Sequence, residues 1–209
     1  MSIKENIETI KSEIDDAFLI CVSKYHTEEE IMEAYNCGQR DFGENKVQDL
    51  VKKAENLPKD IRWHLIGHLQ TNKVKYIIGK TQLIQSVDRF ELAELINKKS
   101  ADAGIVTDIL VQVNSTGIES RFGVEPEKVV DFIKEIAMFE NINIKGLMGM
   151  APICEDPTPY FENLKSLFEA CKNQNLLNGN ILSMGMSGDY KQAIKCGSNM
   201  VRIGSKIFK

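Results

Sequence analysis

Eight short apolar runs, each separated from the next by a helix-patterned or turn-forming stretch, limit this chain more than any other feature. FLICVS (18–23) has the unbroken apolar character of a strand buried on both faces. RDFG (40–43), RWHLIG (62–67), LIQSV (83–87), DILVQVN (108–114), IKGLMGMA (144–151), ILSMG (181–185) and NMVRIGS (199–205) continue the series. Between them, apolar residues recur at helical spacing: Val47, Leu50, Val51 and Ala54; Leu92, Leu95 and Ile96; Val129, Ile133 and Ile136; Phe161, Leu164, Phe168 and Cys171. Such alternation implies a parallel sheet covered by helices. Eight units favour a closed (β/α)8 TIM barrel, with a doubly wound open sheet as the alternative. The 209 residues suit one barrel domain over 1–209, near the lower size limit for that fold.

Local signals refine this outline. Ile3, Ile7, Ile10 and Ile14 predict an extra amphipathic helix ahead of the first strand. Thr27, with Glu30 three residues on, reads as a capping box, and Gly38 closes the helix that follows it. Short helices are expected from about Thr71 and over 189–195, and a loop over 152–159.

The net charge of −4 gives no general attraction to nucleic acid or to an anionic membrane, so any anion site must be local. No apolar run approaches the ~20 residues of a membrane span. The opening MSIKENIETIKSEIDD is charged and helical rather than a signal peptide, which makes the cytoplasm the expected compartment. Cys21, Cys37, Cys154, Cys171 and Cys196 are odd in number and form no C-x-x-C pair, so neither disulfides nor zinc is expected, and most should be buried.

In a βα barrel, chemistry lies at the carboxyl ends of the strands. The polar and glycine residues there are Lys24; Gly43, Glu44 and Asn45; Gly67 and His68; Asn114; Met148; Ser187 and Gly188; and Arg202, Gly204 and Ser205. Lys24 directly follows an apolar strand. At the barrel mouth, desolvation favours the neutral amine, the form that attacks an aldehyde; a lysine just past a strand can equally be plain solvated surface. SMGMSGDY (183–190) combines a strand end, a glycine-bearing turn and a helix start, and RIGS (202–205) supplies a second turn after the last strand. Backbone N–H groups at such turns hold phosphate, and barrels often use the loops after strands seven and eight for it. His64 and His68 have H-x-x-x-H spacing, but His64 lies within a strand, so a hydrogen-bonded core role suits it better than metal binding. Met148, Met150, Met184 and Met186 read as core filling, with one or two available as a soft wall for a flat ring.

VSK (22–24), DFGENKVQD (41–49), WHLIGHLQTNK (63–73), GLMGM (146–150), SMGMSGDY (183–190) and VRIGSKIF (201–208) together resemble the YggS/PROSC-type pyridoxal phosphate homeostasis proteins, which share the barrel of the alanine racemase N-terminal domain. The resemblance implies an imine between Lys24 and the aldehyde of pyridoxal 5′-phosphate. It implies phosphate binding by Ser187, Gly188, Gly204 and Ser205, Arg202 facing the pyridine nitrogen, and Asn45 near the ring or its 3-hydroxyl. A guanidinium opposite that nitrogen keeps it unprotonated and weakens the ring as an electron sink. Some positions depart from the family pattern. His26 and Arg121 stand where relatives often carry lysine, and the Gly-x-Arg-x-Tyr tail common among relatives does not appear before Lys209.

The resemblance implies a cofactor carrier in vitamin B6 homeostasis rather than an enzyme. No β-domain is expected to supply a second acid–base residue, and the chain is expected to be a monomer that passes cofactor to pyridoxal phosphate-dependent apoenzymes. A weak amino-acid racemase, a class I aldolase using Lys24, and a protein-interaction module with a vestigial site are the competing readings.

Overall fold

The computed structural model describes residues 2–117 and 122–209. A first helix, α1 (Ile3–Glu13), precedes the barrel. The alternation then runs β1 (Phe18–Val22), α2 (Glu28–Asn36), β2 (Asp41–Glu44), α3 (Val47–Asn56) and β3 (Arg62–Leu65), followed by a 3-10 helix (Thr71–Tyr76). It continues through β4 (Leu83–Val87), α4 (Phe90–Asp102), β5 (Thr107–Gln112), a second 3-10 turn (Pro126–Lys128) and α5 (Val129–Ile136). Last come β6 (Ile142–Met148), α6 (Thr158–Asn173), β7 (Ile181–Ser183), α7 (Tyr190–Lys195) and β8 (Met200–Ile203). All eight strands are parallel, and β8 pairs with β1 to close the barrel. The open sheet is thereby excluded.

Strand ends differ from the sequence pattern by a few residues, because apolar runs continue past the last ladder hydrogen bond. β3 stops at Leu65 and β7 at Ser183, where the chain turns into site loops. The loop before α6 ends at Pro157, and Pro159 sits in the first helical turn, where a missing N–H costs nothing. The capping box forms as expected: Glu30 N–H donates to Thr27 Oγ1, and Thr27 N–H donates to Glu30 Oε2. Only Cys21 and Cys171 are fully buried; Cys154 is exposed in the β6–α6 loop. Among the described residues no helix is long and apolar enough to cross a membrane.

Side-chain parity sorts the core into two layers. Ile20, Leu83, Leu110, Met148 and Met200 fill the inside of the barrel. A larger cluster, including Phe42, Trp63, Leu147, Phe161, Phe168 and Val201, packs between strands and helices. Gly146 marks a bulge in β6: its φ is +154°, and a Cβ there would lie 1.8 Å from the Ile181 carbonyl oxygen. Only glycine lets β6 approach β7 so closely.

Alternation also sends Glu44 outward, away from the mouth. Its carboxylate is fully buried and accepts from Lys53 Nζ of α3 at 2.5 Å and from Ser23 Oγ at 2.7 Å. Lys53 also donates to the Ser23 carbonyl at 2.9 Å. This ion pair fixes the end of β1, one residue before Lys24, against α3. Removing one partner of a buried pair leaves a bare charge, which typically costs about 3–5 kcal/mol, whereas replacing both with apolar groups is far milder. Lys53→Met should therefore lower the urea-unfolding free energy by about that amount, and Lys53→Met combined with Glu44→Leu should recover most of it. Equal losses in the two proteins would show that the pair does not behave as a unit.

Candidate functional site

The barrel mouth holds a cavity of about 530 Å³. The seven residues that the family resemblance implicates all line it: Lys24, Asn45, Ser187, Gly188, Arg202, Gly204 and Ser205. Parity explains Lys24: Ile20 points inside, so Val22 and Lys24 do too. The half-buried Lys24 is followed by Tyr25, a non-glycine residue with φ +69° and 86% exposure. That left-handed turn redirects the chain at once, with His26 N–H donating to the Ser23 carbonyl. His26 stacks on Phe208, with ring centroids 4.1 Å apart, and faces Glu30. Arg121 lies outside the described residues.

Two turns form one wall. Gly204 N–H donates to Ser187 Oγ at 3.4 Å, joining the turn after β7 to the turn after β8. Among the described residues, no hydrogen bond within the protein uses the backbone N–H of Ser187, Gly188 or Ser205. A Cβ at Gly188 would meet nothing within 4 Å, so its backbone borders open space. The helix that follows, α7, has only six residues, so the free amides supply this wall's polarity more than any helix dipole does. Helix α1 steadies both turns. Glu13 accepts from the Tyr190 hydroxyl beside the first, and Asn6 donates to the Ile207 carbonyl beside the second.

Arg202 enters from the barrel interior with 4% exposure. Its Nη1 donates to Ser183 Oγ at 2.5 Å and its Nη2 to the Gly149 carbonyl at 2.9 Å. Both acceptors are neutral. Burial pulls the guanidinium down to about 10, with the Asp189 charge working the other way, so it remains a cation at neutral pH. Below it a polar line continues: Ser183 Oγ to Gln85 Oε1 at 2.7 Å, Gln85 Nε2 to His64 Nδ1 at 3.3 Å, and His64 Nε2 to Asp41 Oδ1 at 3.1 Å. Asp41 is held by Arg62 through two further bonds.

The remaining wall is mostly apolar. Val22, Ile66, Phe122, Met150 and Met186 line it, with Gln112 and His68 among them. His68 stacks on Phe122 at 3.8 Å between centroids. A Cβ at Gly67 would fall 2.3 Å from the Asn45 carbonyl oxygen, so glycine there allows the β2 and β3 ends to converge under the cavity. Other strand-end residues fall elsewhere. Glu44 faces α3, Met148 fills the barrel interior, and Asn114 lines a neighbouring cleft. His64 is a bonded core residue, and no group of three or more His, Cys, Asp or Glu among the described residues could hold a metal. The sequence reading missed Gln85, Ser183 and Gln112 as site components. A polar side chain at inward parity in an otherwise apolar strand was the available signal.

The alanine racemase N-terminal domain describes residues 1–209 of this chain. A pyridoxal phosphate homeostasis protein of Aquifex aeolicus is 43% identical over 92% of this chain and 86% of its own length. That of Schizosaccharomyces pombe is 39% identical over 97% and 90%, respectively. The chain belongs to the pyridoxal phosphate homeostasis protein family. The solved structure of the protein PipY from Synechococcus elongatus PCC7942 with PLP bound covers 100% of both chains at 31% identity and a TM-score of 0.91. An alanine racemase of Clostridium difficile, 18% identical with a TM-score of 0.83 over 99% of this chain and 56% of that one, shares the family's fold.

Asp41, at the far end of the polar line, gives this site a pH signature. Burial opposes its ionisation, but hydrogen bonds from Arg62 and His64 prevail and bring it down to about 2 from 3.8. A carboxyl with a depressed folded value stabilises fully above its unfolded value and loses that contribution as pH falls toward the folded one. Between about pH 4 and pH 2 the native chain should lose roughly 1–2 kcal/mol, allowing for solvent screening, that Asp41→Asn does not lose. Urea unfolding of both proteins from pH 2 to 6 measures the difference, and parallel curves would contradict it.

Proposed function

We propose that this chain binds pyridoxal 5′-phosphate, holds it as a Schiff base on Lys24, and serves vitamin B6 homeostasis without robust catalysis. The carrying observation is that one cavity gathers Lys24, a buried cationic Arg202 and three uncommitted backbone amides. Each suits a different part of the cofactor. The amides of Ser187, Gly188 and Ser205, with the two serine hydroxyls, suit a phosphate. Gly204 holds the two phosphate turns together. The guanidinium suits an unprotonated pyridine nitrogen, Asn45 suits the 3-hydroxyl, and the Met150 and Met186 side chains suit ring faces. When bound, the cofactor supplies an aldehyde that condenses reversibly with an amine, releasing water.

Arg202 also bears on the absence of fast turnover. Its N–H groups can only donate, so the pyridine nitrogen opposite it must accept and stays unprotonated. The ring is then a poor sink for the carbanions that racemisation requires. The names of the relatives favour the same reading. The chain would act as a cytoplasmic monomer that buffers the cofactor or delivers it to apoenzymes. A weak racemase-like activity is the second reading. It is favoured by His68, which among the described residues lines the cavity wall beside Lys24 and Arg202 as a third side chain able to carry a proton.

Purified protein loaded with cofactor should show a visible absorption band that borohydride abolishes, leaving a reduced adduct on the peptide containing Lys24. Lys24→Ala should lose both band and adduct; an adduct on another lysine would refute the assignment. Gly188→Asp places a carboxylate against the amide turn. It should weaken pyridoxal phosphate binding by roughly 10- to 100-fold while leaving unphosphorylated pyridoxal nearly unaffected. Equal losses for both vitamers would place the phosphate elsewhere. Exchange of the α-proton of L-alanine in deuterated water should not exceed that of free cofactor. Faster exchange that His68→Ala removes would establish the enzyme reading instead.

A further inference from the structure

The polar line through the barrel interior has chemically opposite ends. Arg202, at the mouth, can only donate hydrogen bonds. The ionised Asp41 can only accept them, and the exposed Arg62 at the start of β3 already occupies it. With a single proton on the His64 ring, every donor and acceptor between these ends is matched only if all the bonds point the same way. Arg202 Nη1 donates to Ser183 Oγ, which leaves the serine hydrogen for Gln85 Oε1 at 2.7 Å. The amide NH2 of Gln85 then faces His64 Nδ1 at 3.3 Å, so that nitrogen must be bare. His64 keeps its proton on Nε2, directed at Asp41 Oδ1 3.1 Å away.

Turning the Gln85 amide over would break this order twice. Its NH2 would face the Ser183 oxygen, whose own hydrogen would lose its acceptor. Its carbonyl oxygen would face His64 Nδ1, which would then have to carry a proton, leaving either a bare Nε2 against the Asp41 carboxylate or an imidazolium in the core. Ser183, Gln85 and His64 are all buried, so water cannot easily repair such mismatches.

We propose that Gln85 is a positioning residue. It sets the direction of the whole line and, through Ser183, holds the Arg202 guanidinium with its unused N–H groups turned toward the cavity. The consequence for a ligand rests on the reading that Arg202 faces a pyridine nitrogen; the proton order inside the barrel does not.

Two measurements separate these layers. The first uses cofactor-free protein labelled with 15N-histidine, with His64 assigned by loss of its signals in His64→Gln. The expected pattern is a neutral ring protonated on Nε2 and bare on Nδ1. It should persist in Ser183→Ala, which cuts the line above Gln85. It should change in Gln85→Glu, where a carboxylate facing Nδ1 draws a proton there. The second uses pyridoxal phosphate labelled with 15N in its ring. The pyridine resonance should shift in Ser183→Ala and in Gln85→Leu, because both release Arg202 from its support. A merely structural role would lower stability in these variants without moving that resonance.

Protonation of His64 on Nδ1 in the native protein would overturn the inference, as would an unmoved pyridine resonance in both variants. If Gln85→Leu fails to fold, Ser183→Ala and Gln85→Glu carry both readouts. If the cofactor does not bind at all, the proposed function fails, and the His64 pattern still decides the order of the line.

Discussion

The parallel pairing of β8 with β1 is the constraint on which the site depends. It sets Ile20 beside Arg202 and Cys21 beside Ile203, and with them the two ends of the chain. From that register, inward alternation carries Lys24 to the mouth from one strand while β8 brings Arg202, Gly204 and Ser205 there from the other. The turn after β7 joins them through the bond between Gly204 and Ser187. An open sheet built from the same strands would leave the amine and the amide wall on opposite edges. Helix α1 reinforces the closure, since it touches both turns through Glu13 and Asn6.

The barrel handles buried charge in two different ways. Outside the strands, Glu44 and Lys53 neutralise each other and anchor β1 to α3. Inside, the Arg202 guanidinium bonds, among the described residues, to a serine hydroxyl and a backbone carbonyl. The first arrangement is closed, because each charge has its counter-charge. The second leaves a cation at a cavity wall with donors to spare. A buried cation without a contacting carboxylate is an unfavourable arrangement for the empty protein. It is intelligible where an electron-rich ligand atom completes it, and this gives the cavity its chemical polarity. The same wall carries uncommitted backbone amides, so a chain that is acidic as a whole still has a local surface of donors.

Much of this was legible beforehand, for identifiable reasons. Apolar runs such as LICV (19–22) and ILV (109–111) report strands because burial on both faces favours apolar side chains there. The Thr27–Glu30 box reports a helix start because its bonds span three residues. The barrel rule points to the strand ends in general, the family resemblance narrows them to Lys24, Asn45, Ser187, Gly188, Arg202, Gly204 and Ser205, and all seven line one cavity. The same barrel rule points Glu44 to the mouth, yet it turns outward toward Lys53. A strand end has two sides, and a register one residue different reverses them.

The sequence by itself determined the eightfold alternation, the Thr27–Glu30 cap and which residues stand at the strand ends. Those are local properties, carried by periodicity and by bonds that close within a few residues. Tertiary structure alone decided that Gln85, Ser183 and His64 form one directed line to Arg202, and that Lys53 crosses under Ser23 to reach Glu44. These contacts join strands distant in the chain. Their partners depend on the closed register, and no spacing within any single segment encodes it.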